Sequence, residues 1–439
     1  MSLSGRFVVL VLVGAVPVVL AGDNAGWVLL AWLVISVLIA ALDLILAASP
    51  RQVSLERSVA ARLRLGETTI STLNVQNLGR RRLRGLLRDA WQPSAGATAN
   101  RVRIDVPTGE RRRVEVALTP FRRGERRVEQ VTIRSFGPLR VAARQATLSA
   151  PGSVRVLPPF LSRKHLPSKL TRLRELDGRT SILHRGQGTE FDSLRDYVRG
   201  DDVRSIDWRA TARRSSGSGA GSQVMVRTWR PERDRRVIVV IDSGRTSAAR
   251  VCDEPRLDTA IESSLLLAAL ASRAGDRVDL LAFDRRQRAR VQGATGADLL
   301  ARMVDAMAPL EPELIETDWA AIPGQVRTIT SQRALVVLLT SVDSVGTARP
   351  LLSVLPQLTR RHTVVVASVL DPGVAKDTLS RDGLSDVYRA AASERALLDG
   401  ERVAAAIRQQ GADIVTAPPA DLPVALVDRY LALKASGRL

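Results

Sequence analysis

Cysteine occurs once in 439 residues, at Cys252, so neither an internal disulfide nor a cysteine-cluster metal site can form. Histidine is nearly as scarce. His165, His184 and His362 lie far apart, which excludes an HExxH or His-rich zinc pattern. Aromatic residues make up 3% of the chain, too few for the stacking platforms that hold single-stranded nucleic acid. Lysine is almost absent too: Lys164, Lys169, Lys376 and Lys434 stand against 61 arginines. The chain is 45% hydrophobic and 25% charged, which rules out disorder as its main state. Its length predicts two or three folded units.

The formal net charge of +20 invites a nucleic-acid reading, but the charge is unevenly placed. Residues 1–50 carry −1, residues 51–150 carry +13, residues 151–235 carry +8, and residues 236–439 are neutral. The excess directly follows two apolar runs, Phe7–Ala21 and Ala25–Ala48, with the polar turn Gly22-Asp23-Asn24 between them. The second run is long enough to cross a hydrocarbon core of about 30 Å. The first needs flanking residues to complete a crossing, and a signal peptide is its alternative reading. Trp27 suits an interface. Arg6 precedes the pair, Arg51, Arg57, Arg62 and Arg64 follow it, and the turn has no basic residue. This predicts a transmembrane hairpin with both flanks and all soluble domains cytoplasmic. Asp43 is expected at the interface or against the partner helix. The arginine-rich stretches that follow are expected as solvated strand ends close enough to meet anionic headgroups. Without a reading module, nucleic-acid binding is not expected.

Residues 51–150 alternate with period two, as at Val102, Ile104 and Val106 or Val114, Val116 and Leu118. Turn signals separate the runs, which predicts a small β-sandwich. Residues 151–235 form a linking segment without clear periodicity. Residues 236–439 alternate apolar strands such as Val237–Ile241 and Ala334–Leu339 with helical stretches. That pattern predicts a doubly wound α/β domain.

In such a sheet ligands sit at the carboxyl ends of the strands. The first strand ends Asp242-Ser243-Gly244-Arg245-Thr246-Ser247, an acid followed by hydroxyls that can collect oxygen ligands for Mg²⁺. It resembles the start of a von Willebrand factor type A domain, whose metal-ion-dependent adhesion site begins Asp-x-Ser-x-Ser. The resemblance implies that Asp242, Thr246 and Thr317 are metal ligands. Gly244 and Ser341 stand where that family has a Ser and a second Asp, so the set is degenerate and Mg²⁺ binding is expected to be weak or absent. The alternative is that Asp242 and Thr246 satisfy the backbone at the strand–helix turn.

Residues 186–213 interleave acids and arginines closely enough to form an ion network. Gly186-x-Gly188 is not a phosphate loop, since no Gly-Lys-Ser/Thr follows. The string Gly188-Thr189-Glu190-Phe191-Asp192-Ser193-Leu194-Arg195-Asp196-Tyr197, then Gly200-Asp201-Asp202-Val203-Arg204-Ser205-Ile206-Asp207-Trp208, ending at Arg213, resembles the signature of the bacterial family called domain of unknown function 58. Ser135-Phe136-Gly137-Pro138-Leu139 resembles an upstream element of that family, and the layout matches over nearly the whole chain. The resemblance implies a non-enzymatic, membrane-anchored adaptor whose von Willebrand-like domain docks a MoxR-type AAA+ ATPase. The expected partner surface is Glu190, Phe191, Arg195, Tyr197, Gly200, Asp201, Asp202, Arg204, Asp207, Trp208 and Arg213. The alternative is a hydrolase using the clustered acids of residues 190–207. Cys252 would be a nucleophile only if His362 approached it.

Overall fold

The computed structural model describes residues 2–183, 190–199, 201–215, 224–230 and 235–439. The chain divides into two compact units, Met1–Pro159 and Phe160–Leu439.

The first unit begins with a two-residue strand, β1 (Ser2–Leu3), and three apolar helices: α1 (Gly5–Val13), α2 (Ala15–Leu20) and α3 (Ala25–Leu46). The segment Gly22–Leu46 is long and apolar enough to cross a membrane, whereas Gly5–Leu20 is apolar but shorter. Pro17 explains the break between α1 and α2, because its ring clashes with the carbonyl four residues earlier, at Val13. At the break the Gly14 amide bonds Val11 instead of Leu10. The freed Leu10 carbonyl accepts the Trp32 indole N–H at 3.1 Å. A Cβ on Gly14 would overlap the Trp32 ring. Trp32 therefore closes the hairpin from within, while Trp27 is exposed.

The rest of this unit is strands: β2 (Val53–Ser58), β3 (Arg62–Arg64), β4 (Thr69–Asn77), β5 (Leu83–Asp89), β6 (Arg101–Val106), β7 (Arg111–Leu118), β8 (Gly124–Phe136) and β9 (Ala142–Leu157). One sheet runs β1-β9-β8-β5-β6 with β3 beside β9, and the other runs β2-β4-β7. Leu73, Val75 and Val114 of the second meet Leu83, Leu87, Val131 and Ile133 of the first in one core. Inside it lies an ion pair that composition concealed. Arg57 holds Asp89 with both guanidinium nitrogens at 2.8 and 2.7 Å, each side chain 2% exposed. Arg57 also donates to Ser71 and the Ala150 carbonyl, and Trp91 donates to Asp89 at 3.1 Å. Arg57 is thus a core residue rather than a membrane-facing flank. β9 continues to Leu157, so the sandwich ends past residue 150 because its longest hairpin does.

The second unit comprises α4 (Leu166–Leu183), β10 (Glu190–Asp196), α5 (Trp208–Ser215), β11 (Met225–Arg230), β12 (Arg236–Asp242), the short pair β13 (Arg250–Val251) and β14 (Glu254–Pro255), α6 (Arg256–Arg273), β15 (Arg277–Phe283), β16 (Gln287–Val291), α7 (Gly296–Met307), α8 (Ile322–Ile329), β17 (Leu335–Leu339), α9 (Val345–Thr359), β18 (Thr363–Val369), α10 (Pro372–Asp377), α11 (Leu384–Gln409), β19 (Asp413–Ala417) and α12 (Leu422–Ala435). Strand order is β16-β15-β12-β17-β18-β19, parallel except for the edge strand β16. The strands read as unbroken apolar runs because both faces are covered. Val237, Val239 and Ile241 face α6, α7 and α12, while Ile238 and Val240 face α8, α9 and α11. Residues 151–235 are not a separate linker. From Phe160 onward they belong to this unit, and α4 ties to α12 through Lys169 and Asp428 at 2.7 Å.

Candidate functional site

The chain leaves β12 to one side of the sheet and returns to β17 on the other, so a crevice opens at the carboxyl ends of these two strands. Asp242 closes β12 there, 2% exposed. Its Oδ1 accepts the Gly244 amide at 2.8 Å and the Thr317 hydroxyl at 2.5 Å. Its Oδ2 accepts Thr246 at 3.1 Å and Thr340 at 2.6 Å. The three residues expected as ligands do converge, and Thr340 joins them from the end of β17. Gly244 is a packing requirement, since a Cβ there would overlap the Thr317 hydroxyl. A Ser in its place cannot be fitted without moving Thr317.

The neighbouring position is held by an arginine. Arg256, first residue of α6, donates to Ser341 at 2.7 Å and pairs with Asp343. Arg245 pairs with Glu316 at the rim at 2.5 Å. A carboxylate offers about four acceptor sites, and all four of Asp242 are taken. The nearby acids Glu316 and Asp343 are engaged by Arg245 and Arg256. This donor set does not fit Mg²⁺, which needs octahedral oxygen ligands with free lone pairs. The arrangement is a satisfied strand–helix turn beneath a small polar cleft, lined by Thr246, Glu316, Thr317 and Thr347.

The signature builds a second cluster. β10 and β11 pair antiparallel, Glu190 opposite Arg230 and Phe191 opposite Trp229. Beyond β10 the Tyr197 amide donates to Val224 at 2.8 Å. Asp201 accepts Arg195 at 2.5 Å and the Val198 amide at 2.9 Å. Asp202 accepts the Arg204 amide at 2.9 Å and so opens a short 3₁₀ turn. Asp207 does three things at once. Its Oδ1 accepts the Arg209 and Ala210 amides, each at 3.0 Å, which caps α5. Its Oδ2 accepts Arg227 Nε on β11 at 2.8 Å, and its own amide donates to Met225. The Ala210 amide, then Arg227, hold the Asp207 carboxyl below its usual range, and Arg195 does the same for Asp201. A general acid needs the opposite shift. With the polar groups turned to these internal bonds, Leu194, Tyr197, Val198, Val203 and Trp208 remain exposed, Trp208 by 67%. Arg213 lies exposed on α5. Gly200 and the Gly186-x-Gly188 stretch lie outside the described residues.

Cys252 and His362 do not meet. Cys252 is exposed in the β13–β14 turn beyond the carboxyl end of β12, and His362 precedes the amino end of β18, at the opposite end of these parallel strands. Burial pushes the His362 imidazole below its ordinary pKa.

A third cluster escaped sequence reasoning. Asp43, in the last turn of α3, is fully buried. It accepts the amides of Leu139 at 2.8 Å, Val141 at 2.8 Å and Ala142 at 2.9 Å. These belong to the β8–β9 turn, where a Cβ on Gly137 would overlap Asp43. β1 pairs with the start of β9, and the Ser4 hydroxyl donates to the Arg140 carbonyl at 2.5 Å. Both ends of the hairpin are thus fastened to one turn. The only sequence signal was an acid within an apolar run together with the Phe136-Gly137-Pro138-Leu139 element.

The model of a family described as protein of unknown function DUF58 matches residues 193–416, slightly more than half of the chain. Uncharacterized proteins of Mycobacterium bovis and Mycobacterium tuberculosis are 29% identical over 257 residues, covering 55% of this chain and 76% of theirs. Among solved structures, the CARDB domain of PF1109 from Pyrococcus furiosus aligns with 24% of this chain and 94% of its own, at 14% identity. Its TM-score of 0.20 supports no functional argument.

Proposed function

The chain belongs to the DUF58 family of proteins of unknown function, and from that premise we propose that it is a non-enzymatic, membrane-anchored adaptor that docks a protein partner. In this reading α1 and α2 cross the bilayer together with α3, and both soluble units face the cytoplasm. The second unit acts as a von Willebrand factor A-like domain without a metal. The partner class that the family resemblance suggests is a MoxR-type AAA+ ATPase.

The observation that carries the reading is the division of labour inside the signature. Asp201, Asp202 and Asp207 accept backbone amides and arginines of their own module, while Tyr197, Val198, Val203 and Trp208 stay exposed. Charged groups that build a rigid module and present apolar and aromatic side chains suit a protein interface, where such residues act as anchors. The same bonds disfavour a general-acid role for Asp201 and Asp207, since they favour the ionised carboxylates.

The test is affinity purification of the full chain from detergent extracts. An ATPase of that class is expected with the wild type and lost with Trp208→Ala combined with Val203→Ser. Undiminished recovery with the double variant would remove this surface from the docking role. Activity against ester, phosphate or glycoside substrates that disappears in Asp207→Asn would favour the hydrolase instead.

A further inference from the structure

We propose that the rim where the hairpin enters the β-sandwich is a recognition surface for anionic phospholipid headgroups, with Arg6, Arg81, Arg140 and Arg144 as its phosphate-binding groups. The proposal rests on the reading that the hairpin crosses a membrane, and it adds a lipid preference to that reading.

The four arginines are brought together by the Asp43 clamp. Arg144 Nε donates to the Leu44 carbonyl at 2.9 Å, Arg81 donates to the Ile45 carbonyl, and Arg6 donates to the Leu139 carbonyl at 3.4 Å. Arg140 follows Leu139 in the same turn, with a left-handed φ of 58°. The carbonyls at the end of α3 fix the depth of the first two, and the clamped turn fixes the others. Each guanidinium has five N–H donors, so one backbone bond leaves most of them available. Arg6, Arg81 and Arg140 are exposed, and Arg144 is partly so.

Charge pairing separates this rim from nearby arginines. Arg82 and Arg84 share Asp105, Arg112 pairs with Glu110, and Arg127 pairs with Glu125. Among the described residues no carboxylate pairs with Arg6, Arg81, Arg140 or Arg144. Asp43, the acid held by the same turn, is buried and hydrogen-bonded to three backbone amides. Uncompensated cations therefore collect at the mouth of an apolar helix. Ile45 and Leu139, 59% and 51% exposed, stand among them. Exposed aliphatic side chains beside free guanidinium groups match the boundary between acyl chains and phosphates. Arginine forks also match phosphate oxygens geometrically.

The full chain is reconstituted into nanodiscs of equal phosphatidylglycerol and phosphatidylcholine, and the lipids retained on release are counted by native mass spectrometry. The wild type is expected to enrich phosphatidylglycerol several-fold. A basic residue near the surface contributes at most roughly five-fold, so losing three with Arg6→Gln, Arg81→Gln and Arg140→Gln exceeds the several-fold enrichment and should bring the ratio to input. The corresponding Lys triple should keep most of the enrichment. Arg122→Gln, Arg127→Gln and Arg155→Gln should leave it unchanged, because they lie toward the other end of the β8–β9 hairpin, roughly 30 Å or more away by strand rise. Equal retention of both lipids by the wild type, or enrichment that survives the Gln triple, overturns the proposal. Alkaline carbonate extraction is run in parallel. A wild type that stays in the pellet yet shows no lipid preference refutes only the headgroup surface, whereas one released into the supernatant refutes the membrane reading as well.

Discussion

Asp43 and Val141 are joined by a 2.8 Å hydrogen bond from the Val141 amide to the carboxylate, linking the last turn of α3 to the turn between β8 and β9. With the amides of Leu139 and Ala142 on the same carboxylate, an acid inside an apolar run becomes the fastening of a helix to a sandwich.

Removing that carboxylate strands two buried donors and one part-buried one. Asp43→Ala is expected to destabilise the junction by about 3 kcal/mol, since each unsatisfied buried group costs about 1–3 kcal/mol before relaxation. Asp43→Asn keeps one acceptor oxygen and should cost less. Gly137→Ala should resemble Asp43→Ala, because the methyl group occupies the carboxylate's space. Hydrogen exchange at residues 139, 141 and 142 reads all three variants.

The Arg57–Asp89 pair makes a second prediction. Truncating either partner leaves a charge buried in the sandwich, at a cost of roughly 3–5 kcal/mol. Replacing both with apolar residues should recover much of the loss. Denaturant unfolding followed by Trp91 fluorescence measures it, as Trp91 touches both side chains.

Gly244→Ser restores the residue that a metal-ion-dependent adhesion site carries, and is expected to fail as a restoration. Overpacking against Thr317 should destabilise the second unit by about 1–3 kcal/mol. Calorimetric titration with Mg²⁺ should show no heat of binding in either protein. Saturable Mg²⁺ binding by the variant would contradict the packing argument.

Acid should open the signature module before the core of its unit. The Asp207 pKa is lowered in the folded state, so its contribution is present above the unfolded carboxylate value of about 4 and is lost as pH falls through the lower folded value. Asp207→Asn keeps an N-cap residue but loses the pairing with Arg227. It is expected to flatten the acid dependence of amide protection at Arg209 and Ala210.

The membrane-length run, the sandwich and the α/β pattern were legible because each rests on a local period: an unbroken apolar stretch, alternation by two, or buried strands between helices. Asp242 was legible as the acid that closes an apolar strand, and Thr246 and Thr317 through the resemblance to a von Willebrand factor type A domain. What escaped depends on partners distant in sequence. Arg57 reads as one more flanking cation until Asp89 and the Ala150 carbonyl are brought to it. Thr340 and Arg256 enter the Asp242 neighbourhood only once β17 lies beside β12 and α6 begins across from it. The segment boundaries drawn at 150 and 235 followed charge and composition, whereas the boundary at 159 follows a strand.

The separation of Asp43 from its amides also bears on how the protein is made. Leu139 lies 96 residues downstream. At roughly 5–20 residues per second of synthesis, α3 leaves the ribosome about 5–20 s before the turn that receives it exists. During that interval the carboxylate has only water to satisfy it, so the end of the helix must stay solvated until translation delivers its clasp.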